Sequence, residues 1–156
     1  MGDTLTPSER SKRMALIGSK NTGPEWVVRR MIHGMGFRYR LHGKNLPGHP
    51  DLVFRRAHKV IFVHGCFWHR HPDPNCHLAR LPKSRTDFWE KKLEENRARD
   101  IRNEEALSTA GWKVMVVWEC ELRHKEQLEN KLKRFLREGT CEPLSFSPEP
   151  GALASE

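Results

Sequence analysis

Residues 59–71 read KVIFVHGCFWHRH, and this stretch decides how the chain folds. Residues 59–63 form a β-branched and aromatic run, which is typical of a buried strand. The histidines, the cysteine and the two aromatic residues that follow lie at the end of that strand, where side chains are held rigidly. Asp51 stands just before another apolar run, at residues 52–54. A carboxylate at the tip of one strand and histidines at the end of the next predict a metal-assisted hydrolytic site.

Hydrophobic periodicity around this stretch predicts the first half of the fold. A helix should begin at residues 22–25 and stop at residues 34–36. Its apolar face is predicted to contain Trp26, Val27, Met31 and Met35. Strands at residues 37–41, 51–55 and 59–63 are joined by short connections, which favours an antiparallel meander.

The second half of the chain should complete the sheet. A long charged helix is predicted over residues 87–110, with Asp87 near its N-cap. Residues 112–118 have a central-strand pattern, and this strand should join the sheet in parallel through a right-handed crossover. An amphipathic helix over residues 121–137 follows. We therefore predict an α/β fold with the order α-β-β-β-α-β-α, in which a mixed β-sheet is flanked by helices.

Length and charge bound the domain organisation and the kind of partner. The 156 residues suffice for one domain, with a basic arm at 1–22, the folded domain at 23–138 and a disordered tail at 139–156. Residues 1–44 hold nine Lys/Arg against three Asp/Glu, so +6 of the net charge of +8 lies there. Such a segment suggests a polyanionic partner, most simply nucleic acid, although a charge that serves only solubility is the alternative. No apolar run approaches membrane-spanning length and residues 1–20 carry no hydrophobic signal, so we expect a cytosolic protein.

The cysteines predict a metal site, because thiols in a cytosolic chain favour metal binding over disulfides. Cys66, His71 and Cys76 lie in an irregular loop over residues 64–86, and Cys120 closes the last strand. Structural zinc takes about four nitrogen or sulfur ligands, so one ion could tie this long loop to the sheet. The alternative is a set of buried or idle thiols. His69 and His77 are competing ligands for the same ion. Cys141, in the tail, is left over.

Asp51 and the neighbouring histidines suggest the chemistry. Mg²⁺ prefers oxygen ligands and tolerates one or two carboxylates with phosphate and water. Histidine titrates near cytosolic pH, so either His64 or His69 could deprotonate a water molecule, although solvated loop histidines are the alternative. The apolar side chains that could wedge between base pairs, rather than pack on the core, are Phe67, Trp68 and Met14.

The chain carries six blocks whose order is informative: RSKRM at 10–14, NTGPE at 21–25, LPGHPD at 46–51, VHGCFWH at 63–69, RTDFW at 85–89 and VWEC at 117–120. Over nearly all of the chain from about residue 8 to 137, including these blocks, it resembles the very short patch repair (Vsr) endonucleases of bacteria. The HGCFWH string is highly specific. The resemblance implies a restriction-endonuclease-like core. It also implies a Mg²⁺-dependent nick on the 5′ side of the thymine in T:G mismatches, which arise when 5-methylcytosine deaminates.

The resemblance also implies roles for single residues. Asp51 would bind Mg²⁺, and Val63 could contribute only its backbone carbonyl. His69 would act on the attacking water, with His64 and Glu25 supporting the site. A structural zinc is implied at Cys66, His71, Cys76 and Cys120. The residues implied in DNA binding are Phe67, Trp68 and Met14 in the base stack and Arg10, Lys12 and Arg13 in the arm.

Two features depart from related patterns. The broader nuclease superfamily has a second acid and a lysine at the places of Val63 and Gly65, so the histidines must substitute, as in Vsr. Residues 72–75 lengthen the zinc loop relative to its shortest form, which leaves His77 as an alternative ligand to His71.

Two rival functions stay open on the sequence alone. One is a zinc-stabilised nucleic-acid-binding module without catalysis. The other is an HNH-type nuclease, which needs a helix soon after a metal-binding hairpin, whereas residues 72–86 are broken by prolines. A metal-dependent nicking assay separates the binder from the enzymes. We expect a monomer on double-stranded DNA in the bacterial cytoplasm, associated with the nucleoid, with mismatch repair proteins as candidate partners and no membrane.

Overall fold

The computed structural model describes residues 6–18 and 20–139. Its helices are α1 (Pro7–Leu16), α2 (Gly23–Gly34), α3 (Thr86–Thr109) and α4 (Lys125–Arg137). Its strands are β1 (Arg40–Leu41), β2 (Leu52–Phe54), β3 (Lys59–His64) and β4 (Lys113–Trp118). Two 3₁₀ turns, His77–Ala79 and Glu119–Arg123, precede α3 and α4. The predicted tail, apart from Gly139, and Cys141 lie outside the described residues.

The sheet has the strand order β1-β2-β3-β4, and the predicted meander is confirmed. β1 pairs with β2 and β2 with β3 in antiparallel fashion. β3 and β4 run parallel and in register, from Lys59 opposite Lys113 to His64 opposite Trp118. The prediction of a mixed sheet flanked by helices is therefore correct.

Helices cover both faces of the sheet, which explains why the central strands are continuously apolar. Side chains alternate between the faces along each strand. Leu52 and Ile61 pack with residues of α2 and α4 such as Ile32 and Leu132. On the other face Val53, Val60 and Phe62 pack with Leu107 of α3. The three layers fix the position of the strand ends where the site lies.

The predicted first and last strands are partly wrong. Only Arg40–Leu41 of the predicted strand 37–41 pairs, although Phe37 and Tyr39 still pack against the core. β4 lies at the edge of the described sheet rather than in its centre, and Val117 is its one buried residue. β4 is apolar because helices cover both its faces, so its pattern does not distinguish an edge from a centre.

The helices also differ from prediction in their faces and their ends. α2 buries Glu25, Val28, Arg29 and Ile32, whereas Trp26 is 50% exposed and Val27 36% exposed. The buried face of α2 is rotated from the predicted one because Glu25 and Arg29 form an ion pair inside the protein. Charged residues are not expected at buried positions, so the sequence pattern did not indicate this face.

The ends of α3 and α4 were misplaced as well. The N-cap of α3 is Arg85, in a left-handed conformation with φ 54° and no side-chain cap, so Asp87 lies in the first turn instead. Residues 119–123 form a 3₁₀ turn, and α4 begins at Lys125 rather than at residue 121. Both errors fall at helix ends, where local capping contacts decide the boundary.

The remaining features concern the two ends of the chain. α1 buries none of its residues, as expected of an arm. Near the end of the described chain, the buried Lys59 donates hydrogen bonds from Nζ to the carbonyl oxygens of Phe135, Leu136 and Glu138, so the start of β3 holds the end of α4.

Within residues 6–18 and 20–139, no helix is both long and apolar enough to cross a bilayer.

Candidate active site and metal centre

A cleft of about 930 Å³ opens where β3 and β4 end and β2 begins. Antiparallel pairing brings the start of β2 beside the end of β3, as the sequence predicted. The cleft combines side chains from the arm, from the start of α2, from the end of the sheet where these strands meet, and from α3. Its lining includes Met14, Glu25, Asp51, His64, His69 and Asp100.

Asp51 lies at the start of β2, and its Oδ2 accepts a hydrogen bond of 2.7 Å from the backbone N–H of Val63. Burial raises the pKa of Asp51 to about 6, against the lowering effect of the Val63 hydrogen bond, and the nearby Glu25 raises it further. A carboxylate that is costly to ionise and fixed at one edge of a cleft is well suited to binding a cation.

His64, His69 and Asp100 form a second group across the cleft. The imidazole rings of His64 and His69 are stacked, with centroids 3.9 Å apart and planes within 3° of parallel. His69 Nδ1 lies 2.6 Å from Asp100 Oδ2. A carboxylate can only accept, so Nδ1 carries the proton and Nε2 keeps its lone pair. This leaves His69 with an oriented basic nitrogen.

The stacking also decides what this group cannot do. One ligand atom from each of these three residues lies within 4.8 Å of the others, a spacing that could hold a metal ion. An imidazole binds a metal in the plane of its ring, however, and no single ion lies in the planes of two parallel stacked rings. Burial lowers the pKa of His64 to about 3, so its ring is neutral at neutral pH. The geometry of this group therefore does not suit a single metal ion held by both rings.

Glu25 and Asp51 form a third group together with His42. Glu25 Oε2 accepts hydrogen bonds from Arg29 Nη2 at 2.8 Å and from the Asn21 N–H at 2.9 Å. One ligand atom each of Glu25, His42 and Asp51 lies within 4.8 Å of the others. Two carboxylates so close together, with one arginine beside them, leave a net negative charge that favours a cation.

The predicted metal ligands converge behind the cleft. One ligand atom each of Cys66, His71, Cys76 and Cys120 lies within 4.8 Å of the others, so this cluster could hold a metal ion. The Cys120 N–H donates to Cys66 Sγ at 3.4 Å. Burial raises the pKa of the Cys66 thiol to about 12, so a thiolate there requires a cation beside it.

The competing histidine ligands lie elsewhere. His77 Nε2 is 2.9 Å from Arg123 Nη1, outside the cluster, and His69 is engaged by Asp100. Trp118 links the cluster to the cleft, because its ring packs edge-on against His71 at 4.6 Å and against His64 at 5.2 Å. Trp118 therefore joins the cysteine cluster and the cleft histidine His64 in one packing unit.

Aromatic side chains form a partly exposed cluster at the rim of the cleft. Phe67 packs against Trp68 at 5.0 Å, and Trp89 of α3 contacts both rings, at 5.4 and 6.1 Å. Trp68 and Met14 both line the cleft. Asn96 Nδ2 donates to the Trp68 carbonyl at 3.1 Å and holds this loop against α3. Two of the predicted wedge residues, Trp68 and Met14, are thus accessible from the cleft, and Phe67 lies beside Trp68 without lining it. The arm residues Lys12 and Arg13 are exposed, and Arg10 is half-buried.

Sequence reasoning missed three residues of this site: His42, Trp89 and Asp100. Trp89 stands in the RTDFW block, so this motif could have identified it as a site residue. His42 and Asp100 carry no such signal. Asp100 stands 31 positions after its partner His69, on a helix rich in charged residues. His42 reaches the site only through the pairing of β1 with β2.

Comparison with known proteins agrees with this geometry. Residues 2–76 match the family model described as DNA mismatch endonuclease Vsr. The chain is 39% identical to the DNA mismatch endonuclease Vsr of Escherichia coli over 142 residues, which cover 90% of this chain and 89% of that relative. It is 52% identical over 136 residues to the type II nicking enzyme V.XorIIP of Xanthomonas oryzae, covering 87% and 98%. It is 46% identical over 138 residues to the type II nicking enzyme V.NmeAIP of Neisseria meningitidis, covering 88% and 96%.

The half-buried Asp51, whose pKa is raised by desolvation, should cost the protein stability at neutral pH. Its pKa is raised from 3.8 to about 6 in the folded chain, so the folded state binds this proton more tightly than the unfolded state does. Stability is therefore lost as the pH rises from about 4 to about 6. We predict that Asp51→Asn increases the free energy of unfolding at pH 7 by about 1–3 kcal/mol, and by less at pH 5. Urea unfolding without added magnesium measures this difference.

Asp87→Asn is the matched control, because Asp87 is an exposed aspartate in the first turn of α3. It should give no gain in stability. An Asp51→Asn variant that is no more stable than wild type at pH 7 would contradict the assignment of Asp51 as a half-buried acid with a raised pKa.

Proposed function

The chain belongs to the Vsr family of DNA mismatch endonucleases, and we propose that it nicks duplex DNA on the 5′ side of the thymine in a T:G mismatch. Such mismatches arise by deamination of 5-methylcytosine. The observation that carries the proposal is the juxtaposition of a half-buried carboxylate, Asp51, with an oriented histidine, His69, in one cleft. The catalytic roles of Asp51, His64, His69 and Glu25, described next, are parts of this proposal.

Asp51 and the backbone carbonyl of Val63 would hold the catalytic Mg²⁺. In an antiparallel pair the N–H and C=O of one residue point toward the same neighbour. Because the Val63 N–H points at Asp51, its carbonyl has the same orientation, which supports this ligand pair. When bound, Mg²⁺ would supply Lewis-acid stabilisation of the charge that develops on the phosphate.

His69 would take the proton from the attacking water. Asp100 accepts the Nδ1 proton, holds the ring and stabilises the positive charge that develops on it. The neutral His64 ring lies flat against His69, so it positions the base without adding a second charge. Glu25 supports the site through Arg29 and Asn21 at the start of α2.

A zinc ion at Cys66, His71, Cys76 and Cys120 would be structural. Three sulfur ligands and one nitrogen form a closed set of the kind that zinc prefers, with no open position for a substrate. The ion would tie the loop after β3 to the end of β4, two residues beyond each paired strand end. It would thus fix the loop that carries Phe67, Trp68 and His69.

The arm and the aromatic cluster would bind the DNA. Lys12 and Arg13, together with Arg10, would contact phosphates from the arm, and Phe67 and Trp68 would enter the base stack opposite Met14. A mispaired site resists unstacking least, so deformability contributes to specificity. The restriction-endonuclease-like core, the monomeric state and a link to mismatch repair proteins stay part of this proposal.

The two rival functions gain no support. The relatives named above are endonucleases or nicking enzymes, which disfavours a binding module without catalysis. Between β3 and α3 the described chain has only the 3₁₀ turn His77–Ala79, so the prompt helix of an HNH site is missing from this part of the structure.

Nicking should depend on Asp51 and His69 in different ways. Asp51→Ala should abolish magnesium-dependent nicking of a T:G duplex while mismatch binding is largely kept, because the charge serves the metal. His69→Ala should lower the single-turnover rate by about 10²–10⁴-fold, the usual share of a general base. His33→Ala, at an exposed histidine in the last turn of α2, is the control. Full nicking by either of the first two variants would refute this mechanism.

Trp68 should contribute to mismatch selectivity. We predict that Trp68→Ala lowers the ratio of nicking rates on T:G and T:A duplexes, because the ring can no longer enter the weakened stack. Trp26→Ala is the matched control, since Trp26 is a half-exposed tryptophan outside the aromatic cluster and the cleft. A ratio that does not change in Trp68→Ala would assign the aromatic cluster to packing alone.

Zinc should be needed for the fold. Binding of a structural zinc can contribute on the order of 10 kcal/mol to folding, so Cys120→Ala should lose the metal and unfold at a much lower temperature. Cys141→Ala, at the cysteine left over from the ligand set, should keep both. Elemental analysis and thermal melting measure the two effects, and active protein without zinc would disprove the assignment.

A further inference from the structure

We propose that His42 is a direct ligand of the catalytic cation, beside Asp51 and Glu25, and that it makes the site bind Mn²⁺ more tightly than Mg²⁺. The inference deepens the proposed function and rests on it for one point, that Asp51 holds the catalytic ion. It adds a nitrogen ligand to a site that would otherwise offer oxygen atoms alone.

Proximity is the first observation. A ring nitrogen of His42 and one carboxylate oxygen each of Glu25 and Asp51 lie within 4.8 Å of one another. All three residues line the cleft into which a substrate phosphate would have to enter. An ion between them would be reached from the open side without any movement of the sheet.

The backbone fixes His42 opposite Asp51. The His42 N–H donates to the Asp51 carbonyl oxygen at 3.2 Å, directly after the paired residues of β1 and β2. His42 has φ 50°, in the left-handed region that few residues other than glycine adopt. The end of β1 therefore holds this imidazole at the carboxylates through main-chain contacts, and at a conformational cost.

The side-chain surroundings leave ligand atoms available. Glu25 Oε2 is engaged by Arg29 and by the Asn21 N–H, whereas Oε1 accepts the Thr22 hydroxyl at 3.1 Å and keeps a further lone pair. Asn21 Oδ1 accepts from Arg29 Nη1 at 2.9 Å and lies 3.4 Å from His42 Nε2. An amide oxygen can only accept, so in the tautomer that fits this contact Nε2 carries the proton and Nδ1 keeps the lone pair for an ion.

The chemistry of the three ligands sets the preference between ions. Mg²⁺ favours a shell of oxygen atoms and gives up its water reluctantly. Imidazole nitrogen suits first-row transition metals better, and Mn²⁺ also accepts carboxylates. One nitrogen and two carboxylates should therefore favour Mn²⁺, and loss of the nitrogen should weaken Mn²⁺ binding more than Mg²⁺ binding.

Direct metal binding to the zinc-loaded full chain tests this inference without DNA. The electron paramagnetic resonance signal of free Mn²⁺ gives the Kd for Mn²⁺, and displacement by Mg²⁺ gives the Kd for Mg²⁺. We expect His42→Gln to raise the Kd for Mn²⁺ by about tenfold or more and to raise that for Mg²⁺ clearly less. Asp51→Asn should weaken both ions.

His49→Gln is the matched control. His49 lines the same cleft and has the same left-handed φ of 50°, but it lies outside the three-residue group. It should change neither Kd. His42→Asn, with a shorter amide, serves as a second variant, and an unchanged melting temperature shows that the fold is kept.

Two results would overturn the inference. His42→Gln and His42→Asn could leave the Kd for Mn²⁺ unchanged, or they could weaken both ions by the same factor, which is the result expected of a merely structural residue. Failure of the proposed function is distinguishable, because a chain that binds Mn²⁺ through His42 and yet does not nick T:G duplexes keeps the ligand assignment and loses only the reaction.

Discussion

The parallel pairing of β3 with β4 is the constraint on which the rest of the site depends. The register places His64 opposite Trp118, so Cys66 and Cys120 leave the sheet side by side, two residues beyond the last pair. The same strand end presents the Val63 N–H to Asp51. The β3–β4 ladder therefore positions the thiols of the cysteine cluster and the strand end from which the stacked histidines follow, and the antiparallel ladder with β2 brings the Asp51 carboxylate to the same strand end.

Electrostatics then assigns different work to groups that are close together. Burial makes Asp51 costly to ionise and keeps His64 neutral. His69 is half-exposed and turns its Nδ1 to Asp100, so Nε2 is the ring nitrogen left free to exchange a proton in the cleft. The cleft thus contains a carboxylate group that attracts a cation and, in the same lining, a histidine group suited to proton transfer. Stability given up at Asp51 is the expected cost of such a site.

The strands and the metal cluster could be predicted from the sequence because each leaves a local signal. Residues 60–63 are continuously apolar because both faces of β3 are covered, and cysteines and histidines are the residue types that bind zinc. The face of α2 was misjudged because the buried Glu25–Arg29 pair looks like surface. His42 and Asp100 were missed because strand register and the rotation of α3, respectively, bring them to the cleft. Neither the register of the strands nor the rotation of α3 can be deduced from the spacing of residues along the chain.

Amide hydrogen exchange tests most directly whether the metal cluster and the cleft form one unit. The informative amides are those of Cys120, bonded to Cys66 Sγ, and of Val63, bonded to Asp51, with Lys113 at the opposite end of β4 as the internal reference. If the cysteine cluster holds the zinc ion that we propose, its removal with a chelator should lower the protection of Val63 and Cys120 together, and further than that of Lys113. Loss of protection at Cys120 with Val63 unchanged would contradict the account.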